Sequence, residues 1–502
     1  MARIAVIGAG MGAMAAAARL AVAGHRVVVY ERTETYGGAV RRFEREGFRF
    51  DTGPGLLTLP AVYRDLFVKT GKEPLEECVG LVQVDPSSRH VFADGSAVSL
   101  PNASRAGVVA ALDEALGAGA GERWGAFLVR AREAWDRTRR PLLEEPLWPN
   151  WRVLAEKEPY PAVPHKRLLR TRRAGTLAEI GAFELRDERL TALLASHALA
   201  YGLDPRTTPA SAAVLAYMEH AFGTWYVRGG LRELARAVYE RCLARRVEFV
   251  FGAEVTRITE QDGRAAGVEL AGGTAAEADH VVAGVHPARL RALTDRPLDG
   301  EGEVRADPEA APPARFTLLL ALRGAREPGA AHRTVVHPAD AGAEWDFLAS
   351  PGGAEPPAPT VTVLRPGDPA LRPDDAHESA VLSAVVPAGA ARDEQAARRY
   401  TDLLLAAGER AIPGLRERLL WHEVRAPGDA GAETGAPGGS VPAPALAAGG
   451  GRFLHPANTT RLPGLYRAGG WAHPGGGLAH AGMSGALVAG LIVEGPRFRG
   501  SQ

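Results

Sequence analysis

Three groups of residues in this chain have types and spacings suited to chemistry. The first is Gly8-Ala9-Gly10-Met11-Gly12-Ala13, with Glu31 standing 23 positions after Gly8. Closely spaced glycines let a backbone turn tightly and approach a ligand that Cβ atoms would hold away. Gly8 suits the tight turn, Gly10 the approach to a pyrophosphate, and Ala13 is small enough for helix–sheet contact. Glu31 is placed to accept hydrogen bonds from ribose hydroxyls. The second group, Tyr36-Gly37-Gly38 and Phe50-Asp51-Thr52-Gly53-Pro54, follows within a few residues. The third is "AGGWAHPGGGLAHAGMSGALVAG", Ala468 to Gly490, in which His473-Pro474 interrupts eight glycines. Glycines leading straight into an apolar helix are unlike a surface loop and point to a close approach of the backbone. His473 has two readings there, a catalytic group or a loop anchor held by hydrogen bonds.

The elements that must position these residues can be read locally. Arg3 to Ile7 (RIAVI) is a β-branched run suited to a buried parallel strand, Met14 to Ala23 an alanine-rich helix, and His25 to Glu31 a second strand. This strand–turn–helix–strand unit of about 30 residues is the setting a dinucleotide fingerprint requires, with the helix N-terminus facing the phosphates. Later, Leu231 to Arg245 has an amphipathic pattern. Val247 to Leu270 alternates as strands around an Asp262-Gly263 turn. Asp279 to Pro287 contains a further strand-like run.

Composition bounds the alternatives. With 502 residues, two or three domains are expected. A hydrophobic share of 46% with 24% charged residues belongs to a globular chain. The 59 basic and 59 acidic residues balance, which gives no argument for a nucleic-acid partner. Cys78 and Cys242 are too few and too far apart for a disulfide framework, and read as reduced thiols of a cytoplasmic protein. The N-terminal apolar residues run into the fold motif and do not read as a leader. No run of about 18 apolar residues suggests a membrane span. No serine triad, metal-ligand cluster, P-loop or second Rossmann unit competes, and no metal is expected.

A second glycine-rich turn right after the ribose acid is typical of FAD proteins. On these residues the chain resembles the FAD-dependent amine-oxidase superfamily and, within it, the phytoene-desaturase-like (carotenoid desaturase) enzymes, over almost its whole length. The matching positions are Gly8, Gly10, Gly12, Glu31, Gly37, Gly38, Asp51, Gly53 and Pro54, then "MEHAFGTWYVRGG" (Met218 to Gly230), and the closing stretch. The resemblance implies an α/β fold: a discontinuous Rossmann-type FAD-binding domain (1–75, 218–300 and 451–502) and a mixed α+β substrate domain (76–217 and 301–450). It implies FAD contacts from Gly8, Gly10, Gly12, Ala13, Glu31, Arg32, Gly38, Ala39, Arg41, Gly53, Pro54, Gly55, Val255, Gly469, Gly470, Gly477 and Leu478. Val255 would lie along the adenine, and Gly475 to Leu478 would pass under the flavin ring. Where the family usually has an arginine after the paired glycines, this chain has Ala39, and Arg41 or Arg42 is the expected replacement.

The implied activity is removal of hydrogen from a lipophilic isoprenoid polyene to leave a new C=C bond, with reoxidation by oxygen or a quinone. Two alternatives share the fold: a natural-product tailoring enzyme that reduces, cyclises or oxidises a polyene, and a flavin-free prenyl-binding relative like the GDP-dissociation inhibitors. The substrate domain reads as helical first (Arg105 to Leu116, Ala126 to Arg140). Strands then follow at Phe316 to Leu322, Val361 to Leu364 and Ser379 to Val386, with a helix around Glu394 to Arg410. Glu327 to Ala331, Pro351 to Pro359 and Ala426 to Gly451 read as loops. Trp148, Trp151 and Tyr160 precede a basic run of Lys166, Arg167, Arg170, Arg172 and Arg173. That combination suits either a solvated face or peripheral contact with an anionic membrane.

Overall fold

The computed structural model describes residues 1–164, 171–295, 297–299, 313–349 and 355–500. One side is a five-stranded parallel sheet, ordered Glu248–Val250, Arg26–Tyr30, Arg3–Ile7, His280–Ala283, Leu465–Arg467. Three distant stretches of chain therefore meet in one sheet. Parallel strands need both faces covered, and the side chains of the first strand alternate accordingly. Ile4 and Val6 pack with the helices Met11–Val22 and Leu231–Ala244. Ala5 and Ile7 pack against a small antiparallel sheet built from Val255–Gln261, Arg264–Leu270 and Ala275–Glu277.

The alanine-rich helix is small-surfaced for a reason. It crosses the closing helix Leu478–Val493 so tightly that a Cβ on Gly12 would lie 2.6 Å from the Ala481 carbonyl oxygen. A Cβ on Gly485 would lie 2.4 Å from that of Gly12. Ala15 to Ala18 are wholly buried on the same helix.

The other side holds a seven-stranded sheet, ordered Leu419–Arg425, Ala314–Arg323, His377–Val386, Val361–Leu364, Arg333–Val336, Ser88–Val91, Ala97–Leu100. The three predicted strands and the helix Glu394–Glu409 are present. The region 76–217 is less uniformly helical than its pattern suggests. Ser88–Val91 and Ala97–Leu100 form a hairpin that joins this sheet beside Arg333–Val336. The remaining helices enclose a separate core. Along Ala120–Arg139, the buried Trp124, Phe127, Leu128, Ala131 and Ala134 recur at helical spacing and face Leu112, Leu190 and Leu193.

Ala426 to Gly451 is not a bare loop. It contains the helix Pro427–Thr434, opened by Pro427 in the first turn and the Asp429 carboxylate accepting from the Ala426 amide at 2.8 Å. Gly435 ends it at φ 73°. The basic residues Lys166, Arg167 and Arg170 lie outside the described residues. Arg172 lies over the Phe183 ring, and Arg173 donates to the Glu158 carbonyl. Trp148 donates to Glu145, and Trp151 packs on a small core with Leu142 and Leu454, so both indoles are half-buried.

Candidate active site

Gly8 ends the first strand at φ 89°, a conformation that favours glycine. Gly10 then stands just before the helix, extended at φ −72° and ψ 164°. A Cβ built there meets no protein atom within 4 Å, and the same holds at Gly469, which has φ 95°. These two open glycines and the first-turn residues Met11, Gly12 and Ala13 line one cavity of about 530 Å3. That volume is in the range of small-molecule and cofactor sites. Gly37 to Val40, Thr52 to Leu56 and Gly284 complete this end. The Thr52 hydroxyl is buried there without a hydrogen-bond partner. A phosphate-bearing ligand fits such a cradle: the backbone is open to it, and the helix start offers unpaired N–H groups.

Some expected contacts are committed to the protein. The Glu31 carboxylate accepts from the Ala9 amide at 2.8 Å, and from the Thr33 amide and hydroxyl, each at 2.9 Å. It thus braces the first glycine turn. The Arg41 guanidinium donates to the Gly38 carbonyl, the Thr33 hydroxyl and the Glu433 carbonyl. Arg42 pairs with Glu233 at 2.9 Å and donates to the Gly229 carbonyl. Neither arginine lines the cavity. Arg32 donates to the Ala432 carbonyl. Val255 lies in the core behind the parallel sheet, and its carbonyl accepts from Arg289 at 3.0 Å. Gly53 packs on the Ala39 carbonyl, and Gly55 faces Leu364.

The closing stretch uses its glycines for two different purposes. Gly469, Gly470, Gly477 and Leu478 line the cavity. Gly475 and Gly476 do not, contrary to the expectation that a flavin ring passes over them. A Cβ on Gly476 would lie 1.8 Å from the Pro442 carbonyl oxygen, and one on Gly475 would lie 2.7 Å from that of Ala443. A neighbouring backbone is what excludes side chains there. His473 is wholly buried outside the cavity wall, with Nε2 2.9 Å from the Glu145 carbonyl oxygen. Asn458 donates to the carbonyls of His473 (2.8 Å) and Arg467 (3.1 Å) and to the Ser484 hydroxyl (3.1 Å). That hydroxyl in turn accepts from the Gly469 amide at 3.1 Å. Of the two readings of His473, its position is that of a loop anchor.

His480, three residues into the closing helix region, does line the cavity and was not singled out by the sequence. Burial pushes its imidazole down to about 4, so it stays neutral at pH 7 and can serve as a hydrogen-bonding group. Away from the glycine cradle the cavity is walled by Ser196, His197, Tyr201, Leu215, Met218 and Glu219. Its floor is one face of the seven-stranded sheet. Arg333 and Glu219 form a two-point ion pair at the edge, and the arginine holds the carboxyl below its usual range against the opposing effect of burial. Ser440 and Val441, from the segment read as a loop, close the opposite side. Among the described residues no cluster could hold a metal ion, and no helix is long and apolar enough to cross a membrane.

The arrangement is matched by known proteins. Residues 14–493 match the model of the family described as flavin containing amine oxidoreductase. A hydroxyneurosporene desaturase of Cereibacter sphaeroides is 32% identical over 98% of this chain and 97% of its own. A 4,4'-diapolycopene oxygenase of Methylomonas sp is 28% identical over 98% of each. An oxidoreductase from Methanosarcina mazei superposes with a TM-score of 0.66 at 19% identity, over 97% of this chain and 99% of that one, a likeness that shows the fold. With the glycine cradle, the second glycine turn and a family match across nearly the whole chain, the protein is an FAD-dependent oxidoreductase and belongs to the flavin containing amine oxidoreductase family.

Proposed function

We propose that the chain desaturates a lipophilic isoprenoid polyene, removing hydrogen across a C–C bond to leave a C=C bond. One observation carries the reading: a single cavity runs from the glycine cradle to a walled chamber over the sheet, so a long substrate and a cofactor meet without an intervening wall. The names of the relatives, a carotenoid desaturase and a carotenoid oxygenase, support the substrate class. The family match sets aside the non-enzymatic reading.

In this reading residues 1–75, 218–300 and 451–502 form the FAD-binding domain, and 76–217 with 301–450 the substrate domain. Gly10, Met11, Gly12, Ala13 and Gly469 hold the pyrophosphate and ribityl chain. The Thr52 hydroxyl supplies a further contact, and Glu31 acts through the Ala9 turn. FAD, when bound, supplies a two-electron acceptor for a hydride. The chain's own work is to orient the substrate and to dry the site. Leu215, Met218 and Leu199 give the chamber apolar walls. His480 faces the chamber as a neutral imidazole that orients the substrate by hydrogen bonding; His473 is a positioning residue. The protein docks peripherally on the membrane that stores so insoluble a substrate, through the exposed Val153 and the cations Arg172 and Arg173. Expression in a polyene-producing host with pigment extraction tests the activity. A more conjugated product supports it, and an unchanged pigment profile with full FAD content rejects it.

A further inference from the structure

The chamber floor is oddly polar for a hydrocarbon. In the sheet register Thr317 pairs with Ser383, Ser383 with Thr362, Thr362 with Val335, and Val335 with His90. These five residues form one row across five strands, and all five line the cavity. The three hydroxyls therefore sit on adjacent strands and span about 10 Å. Among the described residues none of the three has a side-chain hydrogen bond. His90, at the end of the row, has both ring nitrogens engaged, with the Ser88 hydroxyl and with His337, each at 3.0 Å. The edge beyond is polar as well: Glu219 pairs with Arg333, whose Nε is buried without a partner.

A sheet face that only had to hold a hydrocarbon would carry valine at these positions. Valine has the same branching as threonine and a higher strand preference. All three hydroxyls open onto the cavity, and a hydrocarbon lying on them would leave them unpaired, which is unfavourable, so three in register are best accounted for by a ligand oxygen that pairs with them. We propose that the row Thr317, Ser383 and Thr362 binds an oxygen-bearing end group, a hydroxyl or carbonyl, and makes the enzyme selective for oxygenated over plain hydrocarbon isoprenoids. The polyene nature of the substrate rests on the function proposed above; the preference for oxygen rests on the row alone.

The test uses the purified holoenzyme and two probes in identical detergent micelles, a C20 isoprenoid alcohol and the hydrocarbon of the same skeleton. Dissociation constants come from the change in flavin absorbance, which needs no turnover. Thr317→Val, Ser383→Ala and Thr362→Val are made singly and together, with FAD content measured in each. The wild type is expected to prefer the alcohol by at least tenfold. Each substitution should weaken alcohol binding about five- to tenfold where its hydroxyl is used. The triple variant should keep its FAD and lose the preference. Equal affinities in the wild type, a preference that survives in the triple variant, or loss of FAD from it would each overturn the proposal. An enzyme that desaturates no polyene yet keeps the row-dependent preference would uphold this inference and reject the desaturase reading.

Discussion

Replacing Gly10 by valine is expected to strip the protein of FAD while leaving it folded. The backbone at Gly10 is extended, a region any residue adopts, and a Cβ there touches no protein atom within 4 Å. The protein side of the cost is therefore the weaker helix start that valine gives relative to glycine, about 1 kcal/mol. The ligand side is larger, because the new methyls occupy the space through which the pyrophosphate reaches the helix start. Losing two hydrogen bonds to a charged group, at ~1.5–3 kcal/mol each, weakens binding by ~3–6 kcal/mol, or ~10²- to 10⁴-fold. Gly12→Ala is the contrasting variant. Its Cβ would lie 2.6 Å from the Ala481 oxygen and 2.7 Å from the Gly469 Cα, so it should cost ~1–3 kcal/mol of stability through overpacking. Flavin absorbance per protein and urea midpoints of the apoproteins separate the two. Gly10→Val with full FAD occupancy, or a Gly10→Val apoprotein destabilised by more than ~3 kcal/mol, would refute the reasoning.

His480→Gln should retain FAD and lose at least tenfold in kcat, whereas His473→Gln should lower FAD content and thermal stability together; the reverse pattern would exchange their roles. Asn458→Ala removes the donor that joins the His473 and Arg467 carbonyls to Ser484, and should cost ~2–3 kcal/mol in urea unfolding; a shift under 0.5 kcal/mol, about the size of an ordinary surface change, would deny that network its role. Burial holds His473 at about 4, below the ordinary 6.5. The unfolded chain takes up this proton as pH falls through 6.5 while the folded chain does not, so the stabilisation is complete above 6.5 and declines toward 4. By pH 5 the stability gap between wild type and His473→Gln should narrow by about 2 kcal/mol relative to pH 7.5; a pH-independent gap would show that the imidazole is not held neutral.

The parts of the fold legible in the sequence are those whose reasons are local. The run Arg3 to Ile7, the glycines after it and the strand ending before Glu31 announce themselves because turn, helix start and strand are specified by neighbouring residues. The helix Pro427–Thr434 was missed because its small residues give no apolar stripe, although Pro427, Asp429 and Gly435 are start and stop signals. The pairing of Ser88–Val91 with Arg333–Val336 joins residues some 245 positions apart, and nothing in either strand's pattern names its partner. The site divides in the same way. Open glycines and crowded glycines look alike as letters, so Gly475 and Gly476 could not be told from Gly469 until Pro442 and Ala443 were placed. His473 drew attention by standing alone before a proline. His480 lies inside an apolar helix, where only the fold shows that it faces the cavity.

The central claim is most directly tested by anaerobic mixing of the holoenzyme with a polyene carried in anionic liposomes, followed by flavin absorbance and product spectrum together. The account expects one equivalent of flavin to bleach as the polyene absorption moves to longer wavelength by the step that one added C=C bond brings, with both changes absent in Gly10→Val. A flavin that stays oxidised while the polyene is consumed, or one that bleaches with no gain in conjugation, would contradict it.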